Sequence, residues 1–182
     1  MDKTYNVELR RVFLLENLPE PLTRASRHLQ IFDNYIENTR LRLRSIRSPE
    51  TKEWIWILEQ RFLLEDSGRW GISKIHLDEN EHRAFEMFEG REINKNEKVQ
   101  TNEIRKNRYF YQGGERQIKI DLFLGELWGL VTAQINFQTA EEMSKLETPP
   151  FAILEVTDNE FFTGKNLVGK TFADVQAEFL KY

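Results

Sequence analysis

The stretch Thr39–Arg44, T-R-L-R-L-R, constrains this chain more than any other. Successive side chains of a strand point to opposite faces, with period two. Arg40, Arg42 and Arg44 therefore share one face, and Leu41 and Leu43 share the other. Three adjacent guanidiniums repel one another unless water or an anion lies over them. The leucines require a core. The strand thus has an apolar back and a cationic front, and the fold has to give that front something to face.

The same two-faced pattern recurs along the chain. Asn6–Leu15 sets Val7, Leu9 and Phe13 against Glu8, Arg10 and Val12. Gln30–Ile36 reads as the hairpin partner of Thr39–Arg47, with Glu37-Asn38 as the turn. Glu53–Phe62 places Glu59 and Arg61 with Ile55 and Ile57, opposite Trp54, Trp56 and Leu58. Gly71–Leu77 is a further strand. Ile104–Gln112 and Glu115–Leu124 flank Gly113-Gly114, a strong hairpin signal. Lys106 and Arg108 share a face of the first, while Gln117, Lys119 and Asp121 oppose Ile118, Ile120 and Leu122 in the second. Leu130–Phe137 sets Ala133, Ile135 and Phe137 against Gln134 and Asn136. Phe151–Asp158 sets Glu155 and Thr157 against Leu154 and Val156.

Helices are fewer. A short one is expected over Leu22–Leu29. Asp78 with Glu81 forms a capping-box pattern ahead of Ala84, Phe85 and Phe88, and Gly90 ends that helix. Thr139-x-x-Glu142 caps another, and a C-terminal helix starts near Thr171. Arg91–Thr101 is polar and reads as a loop. The expectation is one α+β domain over residues 1–182, with about eight strands and a few helices.

The polar strand faces carry eight cations (Arg10, Arg40, Arg42, Arg44, Arg61, Lys106, Arg108 and Lys119) and four anions (Glu8, Glu59, Asp121 and Glu155), in a chain of net charge −4. A chain of this net charge is not a general coat for a nucleic-acid duplex, so any basic site is local. Two architectures satisfy the pattern. In an open sheet the polar faces meet water; in a closed barrel they line a lumen. Periodicity leaves both open. Cysteine is absent, which removes disulfides, zinc–thiolate sites and cysteine nucleophiles. No apolar run approaches the ~20 residues of a membrane helix. Met1–Arg11 is too polar for a signal peptide, so a cytoplasmic protein without a membrane partner is expected. His28, His76 and His82 lack a nucleophile context for triad chemistry.

Taken in order, these pieces resemble the CYTH superfamily, the triphosphate tunnel metalloenzymes, over about Val7–Thr163. The pieces are V-E-L-R-R-V-F-L-L, where the family has an ExExK strand; D-N-Y-I-E-N-T-R-L-R-L-R; L-E-Q-R from Leu58; K-N-R-Y from Lys106; I-D-L-F-L-G-E-L-W-G-L from Ile120; A-Q-I-N-F from Ala133, where the family has A-E-x-E-F; and E-V-T-D from Glu155. The resemblance implies a closed, eight-stranded antiparallel β-barrel, or tunnel, with flanking helices. It also implies a phosphate-rich ligand: inorganic triphosphate, a nucleotide such as adenosine triphosphate, thiamine triphosphate or polyphosphate. Arg40, Arg42, Arg44, Arg61, Lys106 and Arg108 carry over as the phosphate-binding wall. Arginine forks match phosphate oxygens in pairs and lysine adds compact charge. Glu8, Asp121 and Glu155 carry over as ligands for Mg²⁺ or Mn²⁺, the last two being alternatively ion-paired with neighbouring cations.

The departures fall on the acidic side. Arg10 stands where the ExExK strand has its second glutamate, and Val12 stands at its lysine. Gln134 and Asn136 replace both glutamates of A-E-x-E-F. Amides ligate a hard cation without the charge that draws it from water, and Arg10 opposes it. The resulting expectation is a tunnel that binds a triphosphate- or polyphosphate-containing anion, with weak or altered metal-dependent phosphohydrolase activity. Two alternatives stand beside it. One is an active triphosphatase or nucleotide cyclase with a rearranged metal site, Glu59 partly compensating. The other is a non-catalytic interaction scaffold using Trp54, Trp56 or Trp128.

Overall fold

A computed structural model describes residues 5–64, 68–95, 98–114 and 116–182, and the side chains of 93–99 fall outside that description. So does Glu115, expected to open the second strand of the Gly113-Gly114 hairpin, and so do residues 1–4 of the polar N-terminal stretch.

The strands are β1 (Asn6–Leu15), β2 (His28–Tyr35), β3 (Leu41–Arg47), β4 (Trp54–Leu63), β5 (Arg69–Leu77), β6 (Glu92–Lys95), β7 (Lys98–Thr101), β8 (Glu103–Gly113), β9 (Arg116–Phe123), β10 (Val131–Phe137) and β11 (Leu154–Glu155). Four short helices accompany them: α1 (Glu79–Phe85), α2 (Ala140–Lys145), α3 (Gly164–Leu167) and α4 (Phe172–Phe179). Neighbours pair in the order β10-β9-β8-β2-β3-β4-β5-β1, and β1 returns to β10. These pairings are all antiparallel, so eight strands close into a barrel and the lumen reading of the polar faces holds.

Closure around charge puts the largest apolar cluster outside the wall. Phe13 and Leu15 of β1, Tyr109 of β8, Ile118, Ile120 and Leu122 of β9, and Ala133 and Ile135 of β10 form one buried cluster. Leu18, Leu22, Met143, Leu146 and Phe151 cover it from outside. A second cluster sits across one end of the barrel. Leu14, Ile104 and Phe123 from strand positions in phase with the lumenal charges pack on Phe162, Leu167 and Val175 of the C-terminal segment. On the outer face of β4, Trp56 stacks on His82 of α1 with ring centroids 4.8 Å apart, whereas Trp54 and Trp128 are exposed.

The helix starts follow their caps. Asp78 accepts from the Glu81 amide and Glu81 returns a bond to the Asp78 amide; Thr139 accepts from the Glu142 amide; Thr171 and Asp174 form a second reciprocal box.

Three expectations are corrected. Leu22–Leu29 is not a helix: the Ser26 amide donates to the Thr23 carbonyl and the Thr23 amide to the Ser26 hydroxyl, a local turn that competes with helix. Arg91–Thr101 is not a plain loop, because β6 and β7 pair as a two-stranded ribbon. Its polar composition hid the alternation. Phe151–Asp158 is reduced to β11. One edge of β1 pairs with β5 over Asn6–Leu9, and further along that edge β11 pairs with Phe13 and Leu14 alone.

Among the described residues, no helix is long and apolar enough to cross a membrane.

Candidate functional site

Strand parity delivers the charged side chains to a cavity of about 380 Å³ inside the barrel. β1 contributes Glu8 and Arg10, β3 Arg42 and Arg44, and β4 Arg61. β5 contributes Trp70 and Lys74, β8 Lys106 and Arg108, β9 Lys119 and Asp121, and β10 Gln134. Asp33 of β2 and Glu59 of β4 lie behind this lining, both fully buried.

Each lumenal carboxylate is held by cations. Asp33 accepts from Arg44 twice, Nε at 2.5 Å and Nη2 at 2.7 Å, and from Arg42 at 3.3 Å, with Lys106 Nζ at 3.6 Å. Asp121 takes a two-pronged bond from Arg108 at 2.6 and 2.7 Å, and Lys106 lies 2.9 Å away. Glu59 accepts from Arg42 at 2.6 Å and Arg61 at 3.4 Å, with Lys74 at 3.7 Å. Glu8 accepts from Arg61 at 2.6 Å, with Arg10 at 3.8 Å.

Leaving aside Arg40, Lys165 and Glu160 at the rim, four carboxylates thus face eight cations in the barrel interior: Arg10, Arg42, Arg44, Arg61, Lys74, Lys106, Arg108 and Lys119. The described lumen carries four surplus positive charges in a chain whose net charge is −4. The surplus is felt in the proton affinities. Burial pulls Arg10 down to about 9, Arg61 adding repulsion that Glu8 only partly offsets. Burial pulls Lys106 down to about 8 although Asp121 and Asp33 oppose it. Burial also lowers Lys119, with Arg108 adding to it. For Glu8, burial acts upward but Arg61 and Arg10 outweigh it and hold the carboxyl down to about 2. Asp33 is held well below the usual carboxylate range, because Arg42, Arg44 and Lys106 together outweigh its burial.

The structure brings together Arg42, Arg44, Arg61, Lys106 and Arg108 of the expected phosphate wall. Arg40 lines the same cavity at its rim, exposed, with its guanidinium 4.9 Å over the Phe62 ring. Glu8 and Asp121 are lumenal but belong to different ion-paired groups. Glu155 is not with them. It lies on the outer side of β1, where Arg11 grips both its oxygens at 2.8 and 2.5 Å. Asp33, Lys74 and Trp70 were not singled out as site residues from sequence. Asp33 carried a signal: it lies on the hairpin partner of the arginine strand, in phase with that strand's arginines. Lys74 is directly opposite Glu59 in the β4–β5 register.

A divalent cation does not fit this residue set. Among the described residues, no three His, Cys, Asp or Glu side chains are grouped to hold one. Every lumenal carboxylate already has a cationic partner, and a hard cation needs oxygen ligands free to turn to it.

The strands define a closed eight-stranded tunnel with a charged lumen, the architecture that the sequence resemblance implied. No family model matches the chain, and no curated protein matches it. Solved structures do match. The crystal structure of the inorganic triphosphatase NE1496 is 20% identical, with a TM-score of 0.55, and the match covers 88% of this chain and 93% of that one. Another crystal structure of NE1496, there called a hypothetical protein, gives 20% identity and a TM-score of 0.56 over 90% of this chain and 99% of that one. The likeness is one of fold.

Proposed function

We propose that the tunnel binds a triphosphate- or polyphosphate-containing anion, and that its phosphohydrolase activity is weak or altered. The observation that carries this reading is the surplus of four positive charges in an enclosed lumen. A surplus of this kind is self-repelling, and a polyanion relieves it. Phosphate oxygens suit guanidinium forks and ammonium groups alike. Inorganic triphosphate is the leading candidate, since NE1496, which shares the fold, is called an inorganic triphosphatase.

The same geometry argues against a carboxylate acting as the base. Hydrolysis needs a group that takes a proton from the attacking water, and an efficient base has a pKa near the working pH. Glu8 is held down to about 2, and Asp33 and Asp121 lie well below their ordinary values. These carboxylates are strong acids tied to cations, so they position arginines and lysines rather than accept protons.

Calorimetric titration of the full chain with tripolyphosphate in EDTA, beside an assay for released orthophosphate, tests the proposal. Saturable binding with little release is expected. Absence of binding would overturn it.

A further inference from the structure

One corner of the lumen is built around a fixed organic cation. Arg10 of β1 is directly opposite Asn136 of β10, and Val12 is opposite Gln134. Arg10 Nη1 donates to Gln134 Oε1 at 3.4 Å and lies 3.8 Å from Glu8 Oε1. Gln134 Nε2 donates to Asn136 Oδ1 at 2.7 Å, and Asn136 Nδ2 donates to Glu8 Oε2 at 3.4 Å. One carboxylate and two amides, side chains whose oxygens suit a hard cation, therefore gather beside a guanidinium that already supplies the positive charge. The donors there are also incompletely used. Arg10 Nε and Trp70 Nε1 are buried without acceptors. Arg10 lies 4.5 Å and Arg61 5.4 Å from the centre of the Trp70 ring. A corner with idle N–H groups and two guanidiniums lacks an acceptor, not a cation.

We infer that this corner makes the tunnel selective for the metal-free polyphosphate anion over its magnesium complex, the Arg10 guanidinium standing where a divalent ion would otherwise mediate binding. The inference rests on the function proposed above and names the form of ligand that the site takes. Magnesium on a polyphosphate holds phosphate oxygens in a near-octahedral shell and keeps several waters. Those oxygens are then withdrawn from the forks that would bind them. The ion also brings two positive charges into a lumen with four in surplus, where each carboxylate is already ion-paired.

The test is calorimetry on the full chain with tripolyphosphate, first in EDTA and then with magnesium in excess over the ligand. If the free anion alone binds, the apparent affinity scales with the fraction of ligand left unchelated, and a loss of roughly tenfold or more is expected once magnesium chelates most of it. Arg10→Gln keeps much of the length and removes the charge, and should shrink that magnesium penalty several-fold. Arg10→Glu should invert it, so that magnesium tightens binding. If Arg10→Glu does not fold, the wild-type and Arg10→Gln titrations still decide the matter. Wild-type affinity that magnesium leaves unchanged or improves overturns the inference while leaving anion binding intact. A magnesium penalty undiminished in Arg10→Gln overturns the role of Arg10. Binding of neither form removes the triphosphate reading itself, so the two failures are told apart.

Discussion

Arg44 and Asp33 meet directly across the β2–β3 hairpin, and both hydrogen bonds of the pair are 2.7 Å or shorter. The same carboxylate also faces Arg42 and Lys106, so one fully buried anion holds three cations of the lumen in place. Asp33→Asn keeps the shape and removes the charge. Breaking a buried ion pair from one side costs about 3–5 kcal/mol, because the remaining charges stay buried and uncompensated. Urea unfolding of the variant should show a loss of that order. A loss under 1 kcal/mol would mean that solvent reaches these cations.

Much of this pairing was legible in the sequence. Period-two alternation alone puts Arg42 and Arg44 on one face, and Glu8 and Arg10 on one face of β1. Reading the turn as Glu37-Asn38 pairs Ile36 with Thr39, whereas the Ile36 amide in fact bonds the Leu41 carbonyl and Asn38 adopts a left-handed backbone. That shift is two residues, so side-chain faces are preserved and Asp33 stays among the arginines. Glu155 and Arg40 were not legible in the same way. Parity places a residue on a face, but not on the shared edge that stops β11 after two residues, nor at the rim where β3 has yet to begin. The metal expectation failed to assemble for a related reason. Carboxylates spaced for a common face were each met by a cation from another strand: Asp121 by Arg108 of the adjacent β8, and Glu8 by Arg61 reaching across β5 from β4.

Lys119 lines the cavity and, among the described residues, forms no ion pair. Lys119→Ala should leave stability to urea nearly unchanged, since no carboxylate loses a partner. It should weaken tripolyphosphate binding by roughly ten- to a hundredfold, the range for losing one charge-assisted hydrogen bond. Equal affinity in variant and parent would move the bound anion away from β9.

Lys106 gives the lumen a titration near neutral pH. Its folded value is about 8, against an ordinary value of 10.5. Between those two pH values the unfolded chain holds a proton that the folded chain has released. This group therefore disfavours the fold by a constant amount below about pH 8 and progressively less up to pH 10.5. Anion binding runs the other way. A polyanion raises the lysine's proton affinity, so binding near pH 8 should take up protons and weaken as pH climbs further. Calorimetry in buffers of different ionisation enthalpy measures that uptake, and Lys106→Arg should abolish it. Uptake that survives this substitution would assign the titration to another lumenal group.

The C-terminal segment is tied to the arginine wall through Tyr35. Arg42 Nη1 donates to the Tyr35 hydroxyl at 3.1 Å. Gly164, at the start of α3, lies so close that a Cβ there would fall 1.8 Å from that hydroxyl and 2.8 Å from the ring carbon bearing it. Gly164→Ala must displace Tyr35, α3 or both, and overpacking of this kind costs about 1–3 kcal/mol. If the hydroxyl is the obstacle, Tyr35→Phe removes the atom in closest conflict, and the double variant should be less destabilised than the two single losses added together. Strict additivity in urea unfolding would show that α3 moves away as a unit and leaves Tyr35 on Arg42. Sub-additive losses would show that the C-terminal segment and the arginine wall share one packing constraint. Changes in α3 would then reach the anion site through a single phenol.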